Sequence, residues 1–540
     1  MPATDNVDVI VLGSGGAALC AALAAAQAGL NVRVLERTEY LGGTTAVSAG
    51  MLWIPNNHHM PEADIPDSRE EALEYVGRIA GDHTPADLVE ALVDEGPAMV
   101  RWLEDSTDVR LYPIDRPDYH SEFAGAKEGA RALDNQPIDA NSLGDAAELI
   151  RPSHWYPEPY TYEERRRGLA TKALIEDRLA TNVWAFGRAL IGGLVKGCLD
   201  AGVEFQTRQR AVRLVKEGGR VAGVIAEGAD GDRITHRAAR AVVVGTGGFE
   251  WNEELKRSFL PGPDPGPMSP PYNEGDGLLM GLDAGAAIRN MNGGAYHIAF
   301  QIPGEEVDGK PRTRFISGER ALPGSIIVNR AGRRIVNEAS SYSDMAAVFQ
   351  VFDPDSYDYP NLISYMVFDE RFRRSYSFAT LKPDQDKTPD WVHVGADLAE
   401  LAARARIDPA GLQAQVDRVN RFAETGVDEE FHRGESRHDR HYGDAKQAPN
   451  PCLGPLREPP FYAIEVFVGT LGTRGGLRTD ARARVLDNYG EVIPGLYCCS
   501  NAMAAATGGG YPGAGGTLGP NLTFGYVAGK EIAAAARDRA

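Results

Sequence analysis

Two glycine-rich turns, one near each end of the chain, carry the residues best placed to do chemistry. The first is Gly13-Ser14-Gly15-Gly16-Ala17-Ala18, a G-x-G-x-x-A turn. Gly13 permits a tight bend, Gly15 lets the backbone approach a pyrophosphate, and Ala18 keeps the following helix close to a sheet. The helix N-terminus adds amide donors and a positive dipole end. Glu36, closing the next strand, is placed to accept hydrogen bonds from ribose hydroxyls. The second turn runs Gly508-Gly-Gly-Tyr511-Pro-Gly513-Ala-Gly515-Gly516-Thr-Leu518-Gly519 and opens into a helix over about 521–536. Backbone N–H groups in such a loop can face a ligand and hold a carbonyl oxygen as it becomes enolate-like. The same glycines would also suit simple accommodation of a cofactor.

The elements that must position these turns are legible around them. Residues 7–12 read V-D-V-I-V-L, an apolar run suited to a buried parallel strand. An Ala-rich helix to about Gly29 and a second strand at 32–35 complete a β-α-β unit. NAD and FAD share that fingerprint, so the choice falls to other segments. After Glu36 and Arg37 comes Leu41-Gly42-Gly43-Thr44-Thr45-Ala-Val-Ser48-Ala49-Gly50, whose glycines and hydroxyls can wrap a second face of a long dinucleotide. An NAD domain does not usually need that loop. A late strand and polar return, Val492 to Asn501, gives a cofactor domain assembled from both chain ends, the plan of large flavoproteins. FAD is therefore expected.

The strand 241–244 ending in Gly245, Gly247 and Gly248 has no ribose acid after it. It reads as a crossing packed against the same cofactor rather than an independent NAD domain. Asn273-Glu-Gly275-Asp276 then closes the first pass. Together these segments nominate Gly13, Ser14, Gly15, Gly16, Ala17, Ala18, Glu36, Arg37, Gly42, Gly43, Thr44, Thr45, Ser48, Ala49, Gly50, Val212, Gly247, Gly248, Asp276, Asn501, Gly516 and Leu518 for the cofactor.

The fold class expected is α/β: a Rossmann-like FAD-binding domain from both chain ends, with an inserted α+β substrate-capping domain. The division expected is 1–292, 293–462 and 463–540. Helices are expected over 66–106 (Thr84 and Pro85 as N-cap and first helical residue), 187–201 and 408–424. Residues 425–453, with His432, His438 and His441, read as a solvated loop, and Arg165-Arg166-Arg167 as a solvated surface run. No metal site is expected.

Composition narrows the classes. The chain has 540 residues, 61 of them glycine, and a net charge of -20. Glycine exceeds its usual ~7% without a Gly-X-Y period, pointing to turns and close backbone approaches. The acidic balance disfavours nucleic acid. No signal peptide or transmembrane run is visible, and five cysteines show no framework spacing, so a cytoplasmic location is expected.

Several stretches resemble the 3-ketosteroid 1-dehydrogenases, FAD enzymes of the fumarate reductase/succinate dehydrogenase flavoprotein superfamily. They are Gly42-Gly-Thr-Thr-Ala with Trp53-Ile-Pro-Asn56-Asn57, Leu322 to Asn329, Asn337-Glu338, Gly472 to Asp480, and Tyr511-Pro-Gly-Ala-Gly515. The resemblance implies that the Tyr511 hydroxyl and Gly515 N–H hold a 3-keto oxygen, and that Tyr342 removes the adjacent proton. It implies that Tyr119 supports that base, and that non-covalent FAD takes the hydride, leaving a 1,2-double bond. The implied partners are a hydrophobic 3-ketosteroid and an unidentified electron acceptor, with peripheral membrane association left open. Two alternatives stand beside it: a fumarate-reductase-like or other enoate reductase, and a non-catalytic flavin-binding protein. Dicarboxylate enzymes of the superfamily carry His-His-Thr-Met-Gly-Gly where this chain has Leu471-Gly-Thr-Arg474-Gly-Gly.

Overall fold

The computed structural model describes residues 7–385 and 387–537. Strand Val7–Leu12 lies inside an eight-stranded sheet, parallel to Val32–Leu35 on one side and Arg233–Val244 on the other. Val492–Cys498 adds in parallel beyond Arg233–Val244, so the late strand joins the sheet the first strand began. The glycine-ended crossing is therefore a neighbour of the first strand, as expected, and not the start of a second nucleotide domain. Buried parallel strands carry apolar residues on both faces, which is why these segments read as unbroken Val/Ile/Leu runs.

The chain ends are joined by helix packing. Helix Gly16–Gln27 is buried from Gly16 to Ala26, covered by the C-terminal helix Leu518–Arg537. A β-carbon on Gly525 would stand 2.1 Å from the Ala17 carbonyl oxygen, and one on Gly529 2.6 Å from that of Ala21. Part of the glycine excess thus permits helix backbones to touch.

A second sheet of seven strands forms the inserted layer, with its own apolar clusters. Its central strand, Phe461–Thr473, pairs antiparallel with Gly294–Val307 and Ser364–Asp369. That strand runs past 462, because Phe461 to Val468 supplies the β-branched and aromatic face this sheet buries. The return to the cofactor layer comes after Thr473 instead. A buried ionic cluster braces the layer: Arg334 donates to Glu338 and Asp428 at 2.7 and 2.9 Å, and Arg433 reaches Glu338 at 3.0 Å. It anchors the segment leading to Tyr342.

Local expectations mostly hold, with instructive differences. Helices Phe186–Asp200 and Pro409–Thr425 form as expected, while 66–106 divides into Arg69–Ala80 and Ala86–Ser106. Pro85, rather than Thr84, occupies the N-cap, and the Thr84 hydroxyl donates back to the Ala80 carbonyl. The stretch 425–453 is not simply solvated loop. It contains helix Arg437–Tyr442, with His438 and Asp439 buried.

Candidate active site

A single cavity of about 800 Å³ runs along the carboxyl ends of the parallel strands and under the inserted sheet. Its cofactor end is built by the first turn. Gly13 has φ +90°, and a β-carbon there would meet the Gly245 carbonyl oxygen at 2.6 Å. The Gly13 and Gly16 amides are taken by the Leu35 carbonyl at 2.8 Å and the Thr45 hydroxyl at 3.1 Å, while the amides of Ser14, Gly15 and Ala17 have no acceptor among the described residues and stand on the cavity wall. The Ser14 hydroxyl donates to Glu36 at 2.7 Å, fixing that carboxylate at the strand end. Arg37 and Arg210 both pair with Asp276, at 3.1 and 2.7 Å, closing the far wall. Free amides at a helix start and a fixed carboxylate give the donors a pyrophosphate requires and the acceptor a ribose requires.

Most nominated cofactor residues stand on this wall: Gly13 to Ala17, Glu36, Arg37, Gly43, Thr44, Thr45, Ser48, Ala49, Gly50, Gly247, Asp276, Asn501 and Leu518. Five do not. Ala18 packs under the sheet, against Gly245. Gly42 donates its N–H to the Ser14 hydroxyl and abuts Ile191. Gly248 faces Thr473, and Gly516 lines a small separate pocket behind the second loop. Val212 points away because Gln209 and Ala211 face the cavity and strand side chains alternate.

The substrate end gathers three tyrosines from distant segments. Tyr119 stacks on Tyr511 with centroids 5.7 Å apart, and Tyr342 stands 5.4 Å from each. Each is placed by identifiable contacts. The Tyr119 N–H donates to the Pro512 carbonyl at 3.1 Å, and Tyr75 donates its hydroxyl to the same carbonyl at 2.6 Å. Buried Asp118 ties this strap to Trp53 at 2.7 Å and Arg131 at 2.8 Å. Tyr342 opens helix Tyr342–Ala346, and its ring stacks on His297 at 4.3 Å. Arg474 lies over the Tyr511 ring at 5.0 Å, and Thr517 donates to the Tyr511 hydroxyl at 3.3 Å.

Gly515 sits beside this group with φ +89°, and a β-carbon there would meet the Met51 carbonyl oxygen at 2.5 Å. Its carbonyl accepts from Trp53 N–H at 3.2 Å, whereas its own N–H has no acceptor among the described residues. A free amide beside a tyrosine hydroxyl can hold a carbonyl oxygen.

Burial dominates the electrostatics. It pushes the Tyr342 phenol well above the usual range, reinforced by the neighbouring phenols of Tyr119 and Tyr511. It raises Tyr119 too, against the opposing pull of Arg116. Burial likewise drives His297 and His438 well down, so both rings are neutral.

A second ion pair joins the tyrosine-bearing segments. His120 Nε2 lies 3.0 Å from Asp344, linking the neighbour of Tyr119 to the helix of Tyr342. Burial opposes the imidazolium charge, but hydrogen bonds to Asp344 and Glu122 outweigh it and raise its pKa to about 9. This contribution to stability is whole below the ordinary histidine value of about 6.5 and is lost as pH rises through 9. The urea midpoint is expected to fall across that window, and His120→Gln to flatten the fall. An unchanged slope in the variant would remove the clamp.

Sequence reasoning missed His297, His438 and Arg116. His438 packs 4.9 Å from Tyr119, and His441 Nε2 is 3.1 Å from the Tyr162 hydroxyl, so the histidine-bearing stretch is site wall. Arg165 and Arg166 are exposed, yet they line the cavity. No motif marks the histidines, and the one signal for Arg116 is its position three residues before Tyr119. Among the described residues the one grouping able to hold a metal is His58, His59 and Glu104, and its members already hydrogen-bond one another.

Comparison with known proteins agrees with this geometry. Residues 8–518 match the family model described as an FAD binding domain. A 4-oxocyclohexanecarboxylate 2-dehydrogenase of Sinomonas cyclohexanicum is 41% identical over 97% of this chain and 92% of its own. A 3-oxosteroid 1-dehydrogenase of Mycolicibacterium smegmatis is 35% identical over 98% of this chain and 97% of its own. The crystal structure of the Sterolibacterium denitrificans 3-ketosteroid delta1-dehydrogenase, in complex with 1,4-androstadiene-3,17-dione, superposes with a TM-score of 0.92. It is 34% identical, and the match covers 98% of this chain and all of that one. A flavocytochrome c3 fumarate reductase shares the fold at TM-score 0.67 and 21% identity, covering 98% of this chain and 78% of that one. With a flavin cradle, a tyrosine cluster and near full-length relatives in agreement, this chain belongs to the 3-oxosteroid 1-dehydrogenase family of FAD-dependent oxidoreductases acting on CH–CH groups.

Proposed function

We propose that the protein desaturates the bond next to a ring ketone: the 1,2-bond of a 3-ketosteroid, or the matching bond of a single cyclohexanone ring presenting the same edge. The single observation that carries this is the unpaired Gly515 N–H beside three clustered tyrosines on a cavity shared with the dinucleotide turn. Tyr511 and Gly515 hold the carbonyl oxygen and acidify the adjacent C–H. The phenolate of Tyr342 takes that proton, with Tyr119 orienting its oxygen. Bound FAD supplies the acceptor for the hydride that leaves the neighbouring carbon. His297 and the buried wall exclude water from the transfer.

The single-ring version of the substrate is favoured by the relative that acts on 4-oxocyclohexanecarboxylate. Anaerobic mixing with ring ketones tests the reading: the oxidised flavin should bleach. A flavin that stays oxidised with every ketone, but is reformed from reduced protein by fumarate or another unsaturated acid, would overturn it.

FAD is held without a covalent bond on this reading, because Ala46, Val47 and Ser48 offer no attachment residue after the Gly-Gly-Thr-Thr run. Acid precipitation should leave the flavin in the supernatant; yellow pellet would contradict this. The location proposed is cytoplasmic, supported by five unpaired, buried cysteines. No described helix is long and apolar enough to cross a membrane. A separate electron acceptor must reoxidise the flavin, since the hydride pair leaves the substrate permanently.

A further inference from the structure

Several arginines reach the cavity wall, and most are already paired. Arg37 holds Glu274 at 2.9 Å, Arg151 holds Asp308 at 2.7 Å, and Arg314 holds Glu305 at 2.7 Å. Arg116 differs. Among the described residues it has no carboxylate within ion-pair distance, and its buried Nε has no hydrogen-bond partner. Its remaining nitrogens make only long contacts, 3.5 Å to the Met51 sulfur and 3.4 Å to the Tyr119 hydroxyl. The groups that face it are phenols: Tyr162 and Tyr442, each 5.2 Å from ring centroid to guanidinium, then Tyr119 and Tyr342.

An arginine stays charged in a protein, so this is a permanent cation inside the substrate cavity with no anion in contact with it; buried Asp134, held by the Tyr112 hydroxyl at 2.8 Å, acts on it only from beyond ion-pair distance. Aromatic faces offset part of the cost and hold the planar fork in place. A carboxylate matches that fork with two parallel hydrogen bonds, which a neutral ligand cannot offer.

We infer that Arg116 is a carboxylate anchor, and that the substrate is an anionic, single-ring ketone with a carboxylate across the ring from its carbonyl. This rests on the ring-ketone desaturation proposed above. Arg116 touches Tyr119, whose ring stands 5.7 Å from that of Tyr511, the residue assigned to the carbonyl. A ligand engaging both ends therefore spans about one six-membered ring rather than four fused ones.

The test compares 4-oxocyclohexanecarboxylate, its methyl ester and a neutral 3-keto-4-ene steroid by anaerobic flavin reduction in the FAD-loaded protein. The acid should be the best substrate. Arg116→Met should lower kcat/KM for the acid by about 100-fold or more, the scale of stranding one partner of a desolvated charge pair. The ester should change only several-fold, and Arg116→Lys should recover part of the loss. The acid-to-ester ratio within one variant is insensitive to a general loss of fold. An ester or steroid turned over as well as the acid by the unaltered protein would overturn the anchor. So would equal losses for acid and ester in Arg116→Met, which would assign Arg116 to the Tyr119–Tyr342 pair, seen as an alkaline shift of the pH profile. Failure of all three ketones to bleach the flavin would instead overturn the desaturase reading beneath it.

Discussion

Replacing Tyr342 by phenylalanine is expected to slow flavin reduction by about 10²–10⁴-fold, the usual contribution of a positioned general base, while FAD remains bound. The ring stacks on His297 at 4.3 Å and stands 5.4 Å from both Tyr119 and Tyr511, so phenylalanine keeps the packing and removes only the oxygen. Burial and the adjacent phenols hold the Tyr342 hydroxyl protonated well past neutrality. Its reactive phenolate is then a small fraction that grows with pH. The rate should accordingly climb with alkalinity in the unaltered protein, and the climb should vanish in the variant. Stopped-flow flavin bleaching at several pH values measures both. A variant that keeps the rate and the pH slope would strip Tyr342 of its role.

The second large effect is expected at the carbonyl cradle. Tyr511→Phe should reduce turnover by about 10²–10³-fold, the cost of one missing oxyanion donor. Thr517 and Arg474 both lie against Tyr511, so its ring stays in place when the hydroxyl is removed. The Gly515 N–H would remain as a single donor, leaving weakened rather than abolished activity. Unchanged bleaching with full flavin content would dismiss the cradle. Gly515→Ala is the harsher change, because its β-carbon would run into Met51 at 2.5 Å and its φ of +89° disfavours any side chain. Loss of activity there would not separate chemistry from distortion, which makes Tyr511 the cleaner test.

The legibility of this protein differs sharply between its two ends of the cavity. The dinucleotide turn is a local construction: Gly13, Gly15 and the amides behind them act within a few residues of one another. The spacing of glycines therefore carries the geometry directly. Glu36 was readable for the same reason, since strand, turn, helix and strand occupy one continuous stretch. Even there, strand alternation decided the detail, turning Ala211 and Gln209 toward the cavity and Val212 away. The inserted sheet was legible as a change of character after about Asn292. Its far edge was not, since Phe461–Thr473 pairs with strands more than 90 residues earlier in the chain.

The substrate end is a long-range construction. Tyr119, Tyr342 and Tyr511 are separated by hundreds of residues, and their roles were suggested by resemblance rather than spacing. Sequence alone determined the cofactor class, the α/β plan and a glycine loop able to free an amide, because each depends on local backbone conformation. Tertiary structure decided that the three phenols share one pocket, that His297 and His438 are its neutral walls, and that Arg116 lines it without a carboxylate in contact. These depend on which strands pair and which helices touch. Burial, which holds the Tyr119 and Tyr342 phenols protonated and the His297 and His438 rings neutral, follows from packing the whole chain.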